Sequence, residues 1–108
     1  MIEQHPSEEV LSLIKTIETD PAATQRSISD KLGISLGKTN YLLKELIKKG
    51  FIKAHHFSTH PQKIAKINYI LTQKGFNEML RLTRLYLSIK EKEYFRFKKD
   101  WQRLRAKI

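Results

Sequence analysis

The 108-residue chain contains no cysteine. That excludes disulfides, thiolate redox sensing and cysteine-based zinc sites, and it is compatible with a reducing cytoplasm. Long apolar runs are also missing. None approaches the ~18 residues that a membrane-spanning helix needs, and the polar, acidic start MIEQHPSEE lacks the pattern of a secretory leader. The expectation is a soluble, cytoplasmic chain with no membrane partner. Glycine-rich phosphate loops, paired carboxylates and Ser/His/Asp spacings are absent too, so no catalytic residue is assigned, no cofactor is expected and the chain does not read as an enzyme. His55, His56 and His60 invite a metal reading. But His55 and His56 point to opposite faces of a strand and no carboxylate stands near them in sequence, so no metal site is assigned. Internal repeats and low-complexity segments are also lacking.

What is present is one domain's worth of chain, 40% hydrophobic, with a net charge of +10. The charge is unevenly placed. Residues 1–30 carry six acids against Lys15 and Arg26, a net −4, whereas residues 31–66 carry eight lysines against Glu45 alone, a net +7. Residues 90–108 add a net +5. A general solubilising charge has no reason to spare the first thirty residues. A local polyanion-binding surface does.

The segment Thr24 to Phe51 explains where that surface lies. Thr24 is placed to cap a helix by accepting a bond from a free N–H of its first turn. Ile28 and Leu32, four apart, share one buried face. Gly33 stands where a left-handed residue ends a helix. Ser35 then caps a second helix whose Leu43, Leu46 and Ile47 point inward and which Gly50 closes. Two short helices across a tight turn have the layout of a helix-turn-helix, which places its second helix in the major groove. A capped helix pair that never touches nucleic acid, common in all-α proteins, is the plainer alternative. The outward residues of the second helix, Ser35, Lys38, Asn40, Tyr41 and Lys44, are the candidate base readers, Asn40 for adenine and Lys38 for guanine. Thr24, Gln25 and Arg26 are placed to hold phosphates.

Two segments of strand composition follow, Phe51 to Phe57 and Ile64 to Leu71. The second alternates, with Ala65, Ile67, Tyr69 and Leu71 on one side and Lys66 and Asn68 on the other. The polar loop between them contains Pro61, which interrupts either strand. This is the order of a winged helix, with His60, Gln62, Lys63 and Lys66 near the wing tip, placed to meet a phosphate backbone or an adjacent minor groove. A hairpin that merely covers the core is the plainer alternative.

A first helix is expected from Ser7, as its cap, to about Glu18, with Asp20-Pro21 stopping it and Val10, Ile14 and Ile17 forming a third wall of the core. Thr72 is placed to cap one long final helix, uninterrupted by proline, in which Gly75 falls in the first turn where its cost is small. Leu80, Leu87, Tyr94, Trp101 and Ile108 recur seven apart, and Phe97 and Leu104 lie three residues beyond members of that row. Phe76, Met79, Leu82, Leu85, Tyr86 and Ile89 make the first half apolar on more than one side. A helix apolar on two faces packs against two things. Its first half covers the winged domain and meets a partner, and its second half extends toward that partner. A ~50 Å helix at 1.5 Å per residue would otherwise leave its aromatic residues bare. Leu80, Leu87, Tyr94, Phe97, Trp101 and Leu104 are therefore the candidate homodimer contacts. A helix folded back over one domain is the alternative, and the basic segment FRFKKDWQRLRAK could also touch nucleic acid directly.

The run LGISLGKTNYLLKELIKKGFI, followed by INYILTQKG, resembles the MarR-type (multiple antibiotic resistance regulator) winged-helix repressors over Val10 to Phe76. In these the recognition helix runs into a "KGFI"-like strand start, and the second wing strand ends in an "LTxKG"-like helix start. The short length and overall pattern look like the small subgroup found beside exopolysaccharide biosynthesis loci. The chain departs from larger members, which have an extra N-terminal helix that helps to dimerise and to frame a ligand pocket. Any small-molecule effector is thus unassigned.

The fold class expected is mainly α with a small β-hairpin, a winged helix-turn-helix over residues 1–75 followed by a C-terminal dimerisation helix over 76–108. The function expected is a homodimeric, sequence-specific regulator of transcription, by resemblance a repressor of exopolysaccharide genes, acting on an inverted repeat in double-stranded DNA. The alternative is a winged-helix interaction module that holds a protein or structured RNA, left open because lysine on a helix also serves plain solvation.

Overall fold

A computed structural model describes residues 6–57 and 66–108, with side chains over 7–55 and 67–108. Four helices and two strands follow in the order α1 (Pro6–Thr19), α2 (Gln25–Leu32), α3 (Leu36–Lys48), β1 (Ile52–Phe57), β2 (Lys66–Leu71) and α4 (Gln73–Arg105). This is a winged helix-turn-helix followed by a long helix. Ile64, Ala65, Pro61 and the wing-tip residues His60, Gln62 and Lys63 lie outside the described residues, as does the side chain of Lys66.

α1 starts one residue earlier than its sequence suggests. Pro6 already occupies a helical position, where its missing N–H costs nothing. Ser7 is therefore not the cap. Its hydroxyl turns across to the phenol of Tyr86 on α4. Glu8 and Glu9 sit in the first turn, the favourable end of the helix dipole. At the other end Asp20 Oδ1 accepts from the Ala22 N–H at 3.1 Å and turns the chain toward α2.

The core is a single cluster to which every element contributes. Leu13, Ile14 and Ile17 of α1 meet Ile28 of α2, Leu43 and Leu46 of α3, Ile52 and Tyr69 of the hairpin, and Met79, Leu82 and Tyr86 of α4. Val10, Leu32, Leu42, Phe51 and Leu71 pack around it, half-buried. Each fully buried Leu or Ile stabilises the fold by about 1.5–3 kcal/mol relative to exposure.

β1 and β2 pair antiparallel, from Ile52 opposite Leu71 to Phe57 opposite Lys66. The expected alternation holds at Tyr69, buried on the core side, and Ile70, exposed on the other. Ile67, two residues farther out along the hairpin than Tyr69, is exposed because the core ends beneath it.

α4 runs 33 residues. Gly75, Met79, Leu82 and Tyr86, spaced four, three and four apart, form its buried face. From Tyr94 onward every residue is exposed, and the molecule reaches 70 Å along its longest axis. Gly75 is more than tolerated. A Cβ there would overlap the Phe51 carbonyl, so only glycine lets α4 begin this close to the end of the α3 turn.

A candidate nucleic-acid interface

The turn between α2 and α3 is built by local hydrogen bonds that the sequence specifies. Thr24 accepts from the Ser27 N–H at 3.2 Å while the Ser27 hydroxyl accepts from the Thr24 N–H at 2.9 Å, a reciprocal capping box. Gly33, at φ 68° and ψ 30°, ends α2 in the left-handed region. The Ser29 hydroxyl donates to the Ile34 carbonyl at 2.6 Å and holds the turn from inside. Ser35 caps α3, accepting from the Lys38 N–H at 3.1 Å, and Gln25 Nε2 donates to the Leu36 carbonyl at 3.2 Å. Gly50, at φ 80°, closes α3.

These bonds set which way α3 faces. Its inward side is Thr39, Leu42, Leu43 and Leu46. Thr39 is fully buried because its hydroxyl donates to the Ser35 carbonyl at 2.9 Å. Ile47, expected inward, is instead 38% exposed, since the helix turn carries it past the edge of the core. The stripe opposite the core is Gly37, Tyr41, Lys44 and Lys48, all exposed, with Tyr41 at 63%.

The five candidate base readers separate on this geometry. Tyr41 and Lys44 lie in the middle of the outward stripe. Asn40 is half-buried on one flank of the stripe. Lys38, expected to point outward, lies on the opposite flank with its ammonium 2.9 Å from Glu9 of α1. An acidic neighbour 29 residues away draws it back, which a reading of α3 alone does not reveal. Ser35 is exposed, but its oxygen is committed to the cap. Among the phosphate candidates, the Thr24 hydroxyl and the Gln25 amide are engaged in the turn, whereas Arg26 is exposed. Lys48 and Gly37 join the stripe without having been singled out. Simple continuation of the 37-41-44-48 spacing finds them.

The electrostatics follow the same division. Glu9 holds Lys38, and Glu8 lies 3.3 Å from Lys90 of α4, so the acids of α1 neutralise two cations on its own side and leave Lys44 and Lys48 to face solvent. Burial pushes the Tyr69 phenol up from its ordinary value, and the Arg81 guanidinium is held up by its hydrogen bond to Glu78. Neither lies on the α3 stripe. Among the described residues no group of three His, Asp or Glu is placed to hold a metal ion. No helix among them is long and apolar enough to cross a membrane.

Comparison with known proteins fits this geometry. Residues 10–53 match a family model described as winged helix-turn-helix DNA-binding. FabT of Streptococcus pneumoniae, solved in complex with DNA, superimposes with a TM-score of 0.61 at 24% identity over 78% of this chain and 57% of its own. The transcriptional repressor CouR, bound to a 23-mer DNA duplex, gives 0.67 at 20% identity over 84% of this chain and 61% of its own. A MarR family regulator from Neisseria meningitidis gives 0.60 at 23% identity over 91% and 68%. These likenesses establish a shared fold. The chain spans 57% and 61% of the lengths of FabT and CouR. No curated protein sequence matches it.

Proposed function

We propose that this winged helix-turn-helix chain is a MarR-type regulator of transcription that binds double-stranded DNA as a homodimer and represses from an inverted-repeat operator. The observation that carries the reading is the outward stripe of α3. A helix held rigidly by two caps and a left-handed glycine presents Tyr41, Lys44 and Lys48 away from the core, in the stretch where the chain's positive charge peaks. Lysine supplies long-range attraction to phosphate, and Tyr41 with the flanking Asn40 supplies groups that can meet base edges. DNA-bound FabT and CouR, which share this fold, support that use. The exposed apolar rows on α4 support the homodimer, and the likeness of the overall sequence pattern to the exopolysaccharide-associated subgroup supports those genes as targets. Nothing in the site supports catalysis.

A gel shift with DNA from upstream of the protein's own gene, against random duplex of equal length, tests the reading. Preference for the upstream fragment that falls steeply with added salt is the expected outcome. Equal binding to both fragments, or capture of structured RNA in preference to duplex, overturns it.

A further inference from the structure

The two apolar rows of α4 continue one another into a single seam. Starting at Phe76 and ending at Ile108, the positions alternate four and three residues apart without a break. They are exposed throughout, including Leu87 at 60%, Phe97 at 67% and Trp101 at 58%. Such spacing averages 3.5 residues per turn. It drifts slowly around an α-helix of 3.6, which is the requirement for a left-handed supercoil of two helices.

The two polar members of the seam are both drawn aside. The Thr83 hydroxyl donates to the Met79 carbonyl at 2.7 Å. The Lys90 ammonium lies 3.3 Å from Glu8 and 3.8 Å from Glu93, which leaves its methylenes to line the seam. Three shallow depressions along the seam all include Leu87 in their walls, one of them in the groove between α1 and α4. Knobs from a facing helix need holes of this kind.

Charge favours a parallel facing helix, whose flanking pairs are all attractive, over the reversed register that sets Leu87 opposite Phe97. Glu93 and Asp100 each immediately precede a seam residue, and Lys98 and Arg105 follow those same residues by four. Between two parallel copies in register, these flanking positions meet across the seam five residues apart. Glu93 then faces Lys98 of the second copy, and Asp100 faces Arg105 of the second copy. Each contact occurs twice by symmetry, and all four are attractive. Reversing one helix so that Leu87 lies opposite Phe97 instead sets Glu91 against Glu91, Glu93 against Glu93 and Arg84 against Lys98. All of those are repulsive.

We infer that α4 pairs with α4 of a second copy as a parallel, in-register, two-stranded coiled coil. The inference deepens the homodimer of the proposed function and rests on it for the identity of the occupant. Its consequence is that both winged domains lie at the same end of the pair, where one duplex can meet both α3 helices.

The absence of native cysteine makes a direct test available. Leu87→Cys and Leu104→Cys, made singly and oxidised gently, should each give a covalent dimer on a non-reducing gel. Lys99→Cys, off the seam, should not. In the reversed pairing the two copies of residue 104 stand about 36 Å apart along the axis at 1.5 Å per residue, beyond any disulfide. A second arm reads the charges. Glu93→Lys should raise the dimer dissociation constant about tenfold, and adding Lys98→Glu to it should restore it.

A dimer by light scattering that fails to bridge at both seam positions overturns the pairing and leaves DNA recognition standing. So does an Lys98→Glu addition that weakens the Glu93→Lys dimer further. A chain that stays monomeric overturns both the coil and the homodimer. Bridges in a chain that ignores DNA overturn the proposed function alone.

Discussion

Gly75 and Gly37 are both helical and both cost the chain backbone entropy, yet they answer to different demands. Gly75 is buried with the Phe51 carbonyl where a Cβ would go, so Gly75→Ala should lower stability by about 1–3 kcal/mol, measured by urea titration. Gly37 faces open space, so Gly37→Ala should leave stability unchanged or raise it by up to about 1 kcal/mol. Equal effects at the two positions would contradict the packing at the base of α4. Asn40 and Lys63 should separate in binding. Asn40→Ala should cost roughly 1–3 kcal/mol on the true operator and relax base preference there. Lys63→Ala should weaken all sequences alike and flatten the salt dependence. Titrations on operator and random duplex at two salt concentrations distinguish them. Residues whose roles depend on neighbours in sequence were readable from it, as Thr24, Gly33 and Ser35 show. Lys38, Ser7 and Gly75 were not, because their partners Glu9, Tyr86 and Phe51 are distant in sequence and only the folded chain brings them together.

Among the elements, α3 depends on its ends. Ser35→Ala removes the acceptor for the Lys38 N–H and should cost about 1 kcal/mol by thermal or chemical denaturation. It should weaken operator binding as well, since the first turn of α3 carries Leu36, Gly37 and the approach to Asn40. Wild-type stability in that variant would show that the cap is dispensable. Element types were legible because period and punctuation agree. Helical spacing, a cap before it and a glycine after it marked α2 and α3, helical spacing stopped by Asp20-Pro21 marked α1, and β-rich composition around a polar break marked the hairpin. Exact facing was less legible. Ile47 reads as core by hydrophobicity alone, but a helix of 13 residues covers only as much core as its neighbours provide. On α4 the heptad row stood out because it repeats, whereas its buried face, Gly75-Met79-Leu82-Tyr86, mixes a glycine with large residues and carries no simple signal.

For the whole molecule, paired recognition is the property to test. Removing residues 90–108 should lower the dimer fraction and weaken operator binding far more than half-site binding, as light scattering and titration would show. The intact protein should protect about 20 bp with internal symmetry, its half-site centres about one helical turn, roughly 10 bp, apart or a small multiple of that. An asymmetric footprint insensitive to five inserted base pairs would refute it. The junction at the foot of α4 gives this arrangement a mechanical character. The Thr72 hydroxyl donates to the carbonyls of Gly50 at 2.6 Å and Phe51 at 3.0 Å, Gly75 lies against the same Phe51 carbonyl, and the Lys74 ammonium sits 5.5 Å from the centre of the Phe51 ring. The exit of α3 and the entry of α4 are thus welded into one elbow, with a 13-residue arm on one side and a 33-residue arm on the other. At 1.5 Å per residue the long arm measures about 50 Å, so a tilt of about 5° at the elbow swings its tip by about 4 Å and the short arm by well under half as much. The molecule has the geometry of a lever. A displacement imposed at the far end of α4 reaches the tip of α3 geared down by the ratio of the two arms, with the force raised in the same proportion.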